Sequence, residues 1–264
     1  MSRQRGLALV SVLWGVAILS LIAAAMLSAS VTSAHLDRNG WNAARAGSVA
    51  DQAVSRAILS LLDDRVRLRP RVDAKPQTLV FDSVPVRLWI QDESGKINVN
   101  FAPKEVLQSL FVSTGLERGD AGTLADRIVA RQTPAGLPNT HIAFRSLDDL
   151  LAVAGVTPAL LARIEPLITV YGKAPVINRQ VAPRAVLRLL PDLDEQAIDR
   201  LLKARDAPPP IPVDDTVPGS PLGIADTFFA VTAQARVGDA QVVRLAVVQF
   251  TGDQTKPYLI LAWR

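Results

Sequence analysis

The sequence predicts an α+β protein: a long N-terminal helix, an antiparallel sheet, and a large all-α insertion between strands. Three observations carry that expectation. From Gly6 to Ala34 the chain has no charged residue, and apolar or small positions spaced three and four apart continue to Leu62. Two separate blocks, 78–91 and 224–263, read as strands. Between them, residues 94–206 break into short helical segments punctuated by Gly and Pro.

The N-terminal helix has two parts. A basic tip, Met1-Ser-Arg-Gln-Arg5, precedes the uncharged run. A helix rises ~1.5 Å per residue and a bilayer's hydrocarbon core is ~30 Å thick, so 7–34 is long enough to span. Arg3 and Arg5 then face the cytoplasm and everything after Ala34 lies outside. Gly15, Ala17, Ser20 and Ala23–Ala25 are small enough to let helices approach closely. From 35 to 68, Ala43, Gly47, Ala50, Val54, Ala57, Ile58, Leu61 and Leu62 form one stripe, with Asp51, Arg56, Asp63 and Arg65 opposite. A kink is expected near Asn39-Gly40, and Pro70 and Pro76 close the helix.

In TLVFDSVPVRLWIQ (78–91), Pro85 marks an edge or a break between two short strands. The insertion is expected to hold helices at about 103–112, 119–131, 146–153, 158–166, 183–190 and 194–204. Ser146-Leu-Asp-Asp149 and Thr157-Pro158 are helix starts. An internal repeat aligns SGKINVNFAPKEVLQSL (94–110) with APVINRQVAPRAVLRLL (174–190), each an Ile-Asn extended segment followed by a proline-started helix. The proline-rich run 207–222 reads as a connector. Three closing strands follow, turning at Gly238-Asp239 and Thr251-Gly-Asp253.

Composition narrows the function classes. There is no cysteine, which excludes thiolate chemistry, Cys-ligated zinc and disulfides in an exported domain. The net charge is +4, and half of it sits on Arg3 and Arg5, so there is no nucleic-acid footprint. DESGKIN (92–98) fails as a phosphate loop: Ile90 stands where the first glycine belongs and Lys96 is followed by Ile97. LDDLLAVAGVTPALLARI (147–164) has a helix-hairpin-helix outline without the second glycine that backbone–phosphate contact needs. The two histidines, His35 and His141, sit beside the apolar run and in a Pro/Asn/Thr loop, with no nucleophile motif near either. No catalytic residue is assigned and the chain does not read as an enzyme. Calcium is the one cofactor left open. Asp214, Asp215 and Asp226 offer hard oxygen ligands, but a site needs six to eight, and no metal ligand is assigned.

The uncharged run allows a bland reading: a secretory signal cut near Ala23–Ala25, or left uncut as the anchor of a periplasmic binding protein or hydrolase. Against cleavage there, glycine stands at the border between charge and apolar core, and the apolar segment merges into a long helix. That combination resembles the class III signal of type IV pilins and pseudopilins. Together with DESGKINVNFAP, FRSLDDLLAVAGVTPALLARIEPLITVYG, the second Ile-Asn…Ala-Pro copy and YLILAWR, the chain resembles the minor pseudopilin K family of type II secretion over nearly its whole length.

The resemblance implies a pilin-like fold. It implies removal of 1–6 by prepilin peptidase, cutting between Gly6 and Leu7, with N-methylation of Leu7. Residues 7–34 become a single-pass anchor in the bacterial inner membrane, and the C-terminal domain lies in the periplasm. The pilin-like domain comprises 35–93 and 207–264, the latter the connector and meander, and 94–206 is the helical insertion domain. Ser11 stands where most pilins carry a Glu, as suits a subunit at a filament tip. Implied partners are minor pseudopilins I and J, other pseudopilins and the inner-membrane secretion platform; no nucleic acid is implied. Related pseudopilins bind calcium, which is why the aspartates above are kept as candidates.

Overall fold

The computed structural model describes residues 3–63, 70–132, 142–172, 176–206 and 226–264; within the first helix, side chains up to residue 12 and at 27–35 lie outside the description. That helix, α1 (Arg3–Leu61), is 59 residues long, roughly 90 Å at 1.5 Å per residue. It runs unbroken through Asn39-Gly40, where the sequence suggests a kink: neither a proline nor an inserted side chain disturbs the ladder there, and a Cβ on Gly40 would meet nothing. It also ends earlier than Pro70. The amides of Leu62 and Asp63 turn to carbonyls three residues back, Leu59 and Ser60, at 3.2 and 3.4 Å, which tightens and closes the last turn.

Seven strands lie among the described residues: β1 (Gln77–Phe81), β2 (Val84–Asp92), β3 (Ile97–Asn98), β4 (Ile168–Thr169), β5 (Thr227–Val237), β6 (Ala240–Phe250) and β7 (Tyr258–Trp263). Five form an antiparallel sheet in the order β1-β2-β5-β6-β7. The break in the first strand block falls at Asp82-Ser83, not at Pro85. Both turn residues have positive φ (+46° and +66°), as a two-residue hairpin matching strand twist requires. Pro85 pairs only with Val80 of β1; β5 joins at Val86, so the missing amide costs no bond on that side. The meander turns at Gly238-Asp239 and after Phe250, as expected.

Strand alternation sends Val86, Leu88, Ile90, Val231, Ala233, Ala235, Ala246 and Val248 to one face, against the inward stripe of α1. That stripe is mostly small: Ala46, Val49, Ala50, Ala53, Val54, Ala57, Ile58 and Leu61 are buried. Ala43, placed on the stripe by spacing, is exposed, because it faces an open groove with Ala44 and Gly47 instead of the sheet. The β5–β6 turn meets α1 at Asn42; a Cβ on Gly238 would fall 2.6 Å from the Asn42 amide nitrogen. The unit is α+β, a long helix whose C-terminal part seats on an antiparallel sheet.

Between β2 and β5 the chain builds the helical insertion: α2 (Lys104–Ser113), α3 (Arg118–Gln132), a 3-10 segment (Leu147–Ala152), α4 (Pro158–Ile164), α5 (Arg184–Leu187) and α6 (Glu195–Asp206). Two details differ from expectation. The segment at 146–153 is 3-10 rather than α, and the helix expected over 183–190 is a single turn. The insertion is also not purely helical, since β3 and β4 pair in parallel at Ile97↔Ile168. The caps are as read: Thr157 Oγ1 accepts from Leu160 N–H at 3.1 Å, and Asp149 accepts from the amides of Arg145 and Ser146.

The internal repeat is structural. Asn98 and Asn178 each accept an amide two residues on with the side chain (3.0 and 3.1 Å), and an amide four residues on with the carbonyl (2.8 and 3.0 Å). Pro103 and Pro183 then sit at the caps of α2 and α5 with near-identical backbone angles. The copies touch: Asn178 N–H donates to Ser94 O at 2.8 Å, and a Cβ on Gly95 would collide with the Val181 backbone at 2.8 Å. The insertion buries its own core, around Ile97, Leu107, Phe111, Ile128, Phe144 and Leu187, and shares no buried residue with the core between α1 and the sheet.

Candidate assembly surface

Three surfaces on this fold could meet another molecule. The first is the free length of α1. Every described residue from 13 to 26 is exposed, and Leu13, Leu19, Leu21 and Met26 are each more than two-thirds so, with Trp14 at 66%. Leu36 and Trp41 continue the pattern to the edge of the sheet. A helix apolar all round cannot be content in water; each such side chain gains about 1.5–3 kcal/mol on burial. Among the described residues no helix is long and apolar enough to cross a membrane. The described side chains of the apolar run stop at Met26 and resume at Leu36, so both ends of the expected span 7–34 lie outside them.

The second surface is the outward side of α1 where it lies on the sheet. Ser48, Asp51, Gln52, Ser55 and Arg56 line a shallow groove of about 770 Å³ flanked by Phe81 and Arg244. Arg244 Nε donates to Asp51 at 3.0 Å, tying helix to sheet. One helix thus changes from apolar to polar where it meets the sheet. The third surface is β7, an edge strand on which Leu259, Ile260, Leu261 and Trp263 are all exposed. A register shift between Val247 and Val248 disturbs its pairing with β6.

The residues singled out in the sequence are spread along the molecule. Gly6, Leu7 and Ser11 lie in α1, with their side chains outside the described residues, as is that of His35. Asp214, Asp215, the connector 207–222 and His141 lie outside the described residues altogether. Asp226 is described: it precedes β5 with φ +60°, donates its amide to Phe250 O at 2.8 Å, and accepts from Gln249 Nε2 at 3.2 Å. Among the described residues no three acidic, histidine or cysteine side chains come close enough to hold a metal, so Asp226 alone does not make a calcium site. DESGKIN is a cap followed by a strand: Asp92 accepts from Ser94 N–H at 2.9 Å and opens a 3-10 turn into β3. Burial pushes the Asp92 carboxyl above its ordinary range, against the lowering effect of that bond.

Sequence reading missed the polar groups that join insertion to sheet. Residues 72–74 lie beside the end of β2, with Ala74 N–H on Ile90 O and Asp92 N–H on Val72 O, both at 2.9 Å. There Arg71 donates to Asp73 and to Asp206 at the end of α6, each at 2.6 Å, and Lys75 also pairs with Asp206. Burial pushes the Asp73 carboxyl up, but its bonds from Arg71 and from the Lys75 amide outweigh that and leave it below the usual range. No local spacing could have revealed this cluster, because Asp206 stands more than 130 residues from Arg71 and Lys75.

No family model matches the chain, and no curated protein matches it. Among solved structures the chain is similar to one from the crystal structure of the GspK–GspI–GspJ complex of the enterotoxigenic Escherichia coli type 2 secretion system. The identity is 15%, the TM-score is 0.43, and the match covers 89% of this chain and 98% of that one.

Proposed function

We propose that this chain is a K-type minor pseudopilin, a non-enzymatic subunit that sits at the tip of the type II secretion pseudopilus and starts or limits its assembly for export across the outer membrane. One observation carries the reading. A single helix presents an uncharged, mostly apolar surface over residues 13–26 and seats its last part on a sheet, and a separately cored helical body grows from that sheet. Such a helix suits a membrane before assembly and neighbouring filament helices afterwards, while a bulky head obstructs addition above it. The leader motifs add the rest of the proposal. Prepilin peptidase cuts between Gly6 and Leu7, Leu7 is N-methylated, residues 7–34 anchor the protein in the inner membrane, and the head lies in the periplasm. Ser11 in place of Glu removes the carboxylate that would pair with a subunit above. The partners follow from the same sequence resemblance: pseudopilins I and J first, then other pseudopilins and the membrane platform. Calcium, if bound, would use Asp226 with Asp214 and Asp215.

Mass spectrometry of the mature N-terminus tests the reading. A chain beginning at Leu7 supports it; one beginning near Met26, or an intact Met1, favours a signal-anchored periplasmic binding protein or hydrolase. Co-purification of the full chain with its I and J counterparts is the second test, and absence of a ternary complex would count against the K assignment.

A further inference from the structure

Two buried side-chain atoms have no hydrogen-bond partner among the described residues, Gln91 Oε1 and Arg205 Nε, and near Gln91 the buried Glu93 meets its one charge partner, Lys96 Nζ, at 2.7 Å. Gln91, Glu93 and Arg205 lie where the insertion leaves and rejoins the sheet. Gln91 and Glu93 flank the crossing out of β2, and Arg205 is one residue from the end of α6. Arg205 donates to the carbonyls of Arg179 and Ala182 at 2.7 and 3.1 Å, and Gln91 reaches Val181 O at 3.1 Å. A well-packed apolar seam would not collect incompletely satisfied groups; a joint that opens would, because water completes them when it does.

The direct ties across this joint are mostly polar. On the β1 side, Arg71 and Lys75 hold Asp206. On the β7 side, Arg264 pairs with Glu165 at 2.5 Å. Tyr171 stacks on Phe228 at 5.9 Å between them. The two hydrophobic cores have no residue in common. Two separately cored bodies move relative to one another by default unless their interface is large and hydrophobic or something clamps them.

We propose that the helical insertion is a hinged body, pivoting at the Asp92–Glu93 crossing and held in one orientation by two ionic ties, Arg71/Lys75 to Asp206 and Arg264 to Glu165. The ties are exposed enough to be screened and sit at opposite margins of the joint, so they oppose rotation in either direction. Their release exposes the underside of the insertion without unfolding either core. The device stands independently of the pseudopilin reading, since it concerns how two parts of one chain are joined.

The absence of cysteine makes the test clean. Glu117→Cys and Asp239→Cys place one spin label on the insertion and one on the sheet, both at exposed positions, in the full-length chain in detergent micelles. At low salt a single narrow distance is expected. In 1 M salt, where the screening length falls to about 3 Å, that peak should lose population to a broader one. Asp206→Asn with Glu165→Gln should produce the same change at low salt. Asp206→Glu, which keeps the charge, and Asp51→Asn, which breaks a tie inside the helix–sheet unit, should leave the narrow peak in place. An unchanged distance in both high salt and the double variant, with helical circular dichroism retained, would overturn the hinge. Broadening by Asp51→Asn as well would overturn it equally, since general loosening would then be the cause.

Discussion

The helix–sheet unit buries its apolar residues between one long helix and one sheet, while the insertion buries its own among several short elements. The two units satisfy their backbones differently in consequence. In the sheet, amides and carbonyls pair strand to strand from β1 to β7. In the insertion, irregular backbone runs through the core and side chains must serve it. Asn100 donates to Phe144 O at 2.9 Å and accepts from Phe144 N–H at 2.8 Å, Gln132 reaches Val99 O at 2.8 Å, and Asn98 reaches Tyr171 O at 2.9 Å. A buried asparagine here does the work that a neighbouring strand does in the sheet.

If the two cores are independent, damage to one should not spread. Phe111→Ala, at a fully buried position in the insertion, should cost about 3–5 kcal/mol, and in urea only the insertion's transition should move to lower concentration. A common shift of both units would break the comparison. Asn100→Ala leaves the Phe144 amide and carbonyl buried without their partner and should cost about 1–3 kcal/mol. Gln234→Ala, on the sheet face away from α1, should stay within about 0.5 kcal/mol, and equal losses by chemical denaturation would deny the insertion its dependence on side-chain bonds. Gly95→Ala forces a Cβ against the Val181 backbone, which has little room to give, and should lower the insertion's stability by about 1–3 kcal/mol while the sheet's transition stays in place.

The smaller effects are electrostatic. The Asp73 carboxyl titrates below its ordinary range in the folded chain, because its bonds from Arg71 and Lys75 outweigh burial. Its stabilisation is therefore complete above the unfolded value, about pH 4, and is lost as pH falls through the lowered folded value. The gap in stability between wild type and Asp73→Asn should close on acidification; a gap that persists at low pH would assign the effect to packing. Asp51→Ala removes a half-exposed tie to Arg244 and should cost less than about 1 kcal/mol, shrinking further in salt.

The outline of both units was legible because it rests on local periodicity. The inward stripe of α1, the Asn-to-Pro caps of the repeat and the turns of the meander follow from spacing and turn chemistry. The hairpin at Asp82-Ser83 was not legible, since neither residue is the glycine that usually marks two positive φ angles. Nor was the pairing of Ile97 with Ile168, where the strands are too short to show alternation. Of the assembly surface, the apolar run was plain in the sequence, while the exposure of β7 depends on its being last in the sheet. YLILAW has the composition of a buried strand, and only strand order leaves it open.

By itself, then, the sequence determined the long N-terminal helix with its uncharged run, the absence of thiol chemistry and the repeat, all properties of residues near one another along the chain. Tertiary structure alone decided where the sheet stops along α1, which strand is left at the edge, and how Arg71, Asp73 and Lys75 come to meet Arg205 and Asp206. Those depend on the relative placement of distant segments, and charge–charge contacts between them leave no periodic trace, because a salt bridge constrains two positions and nothing between them.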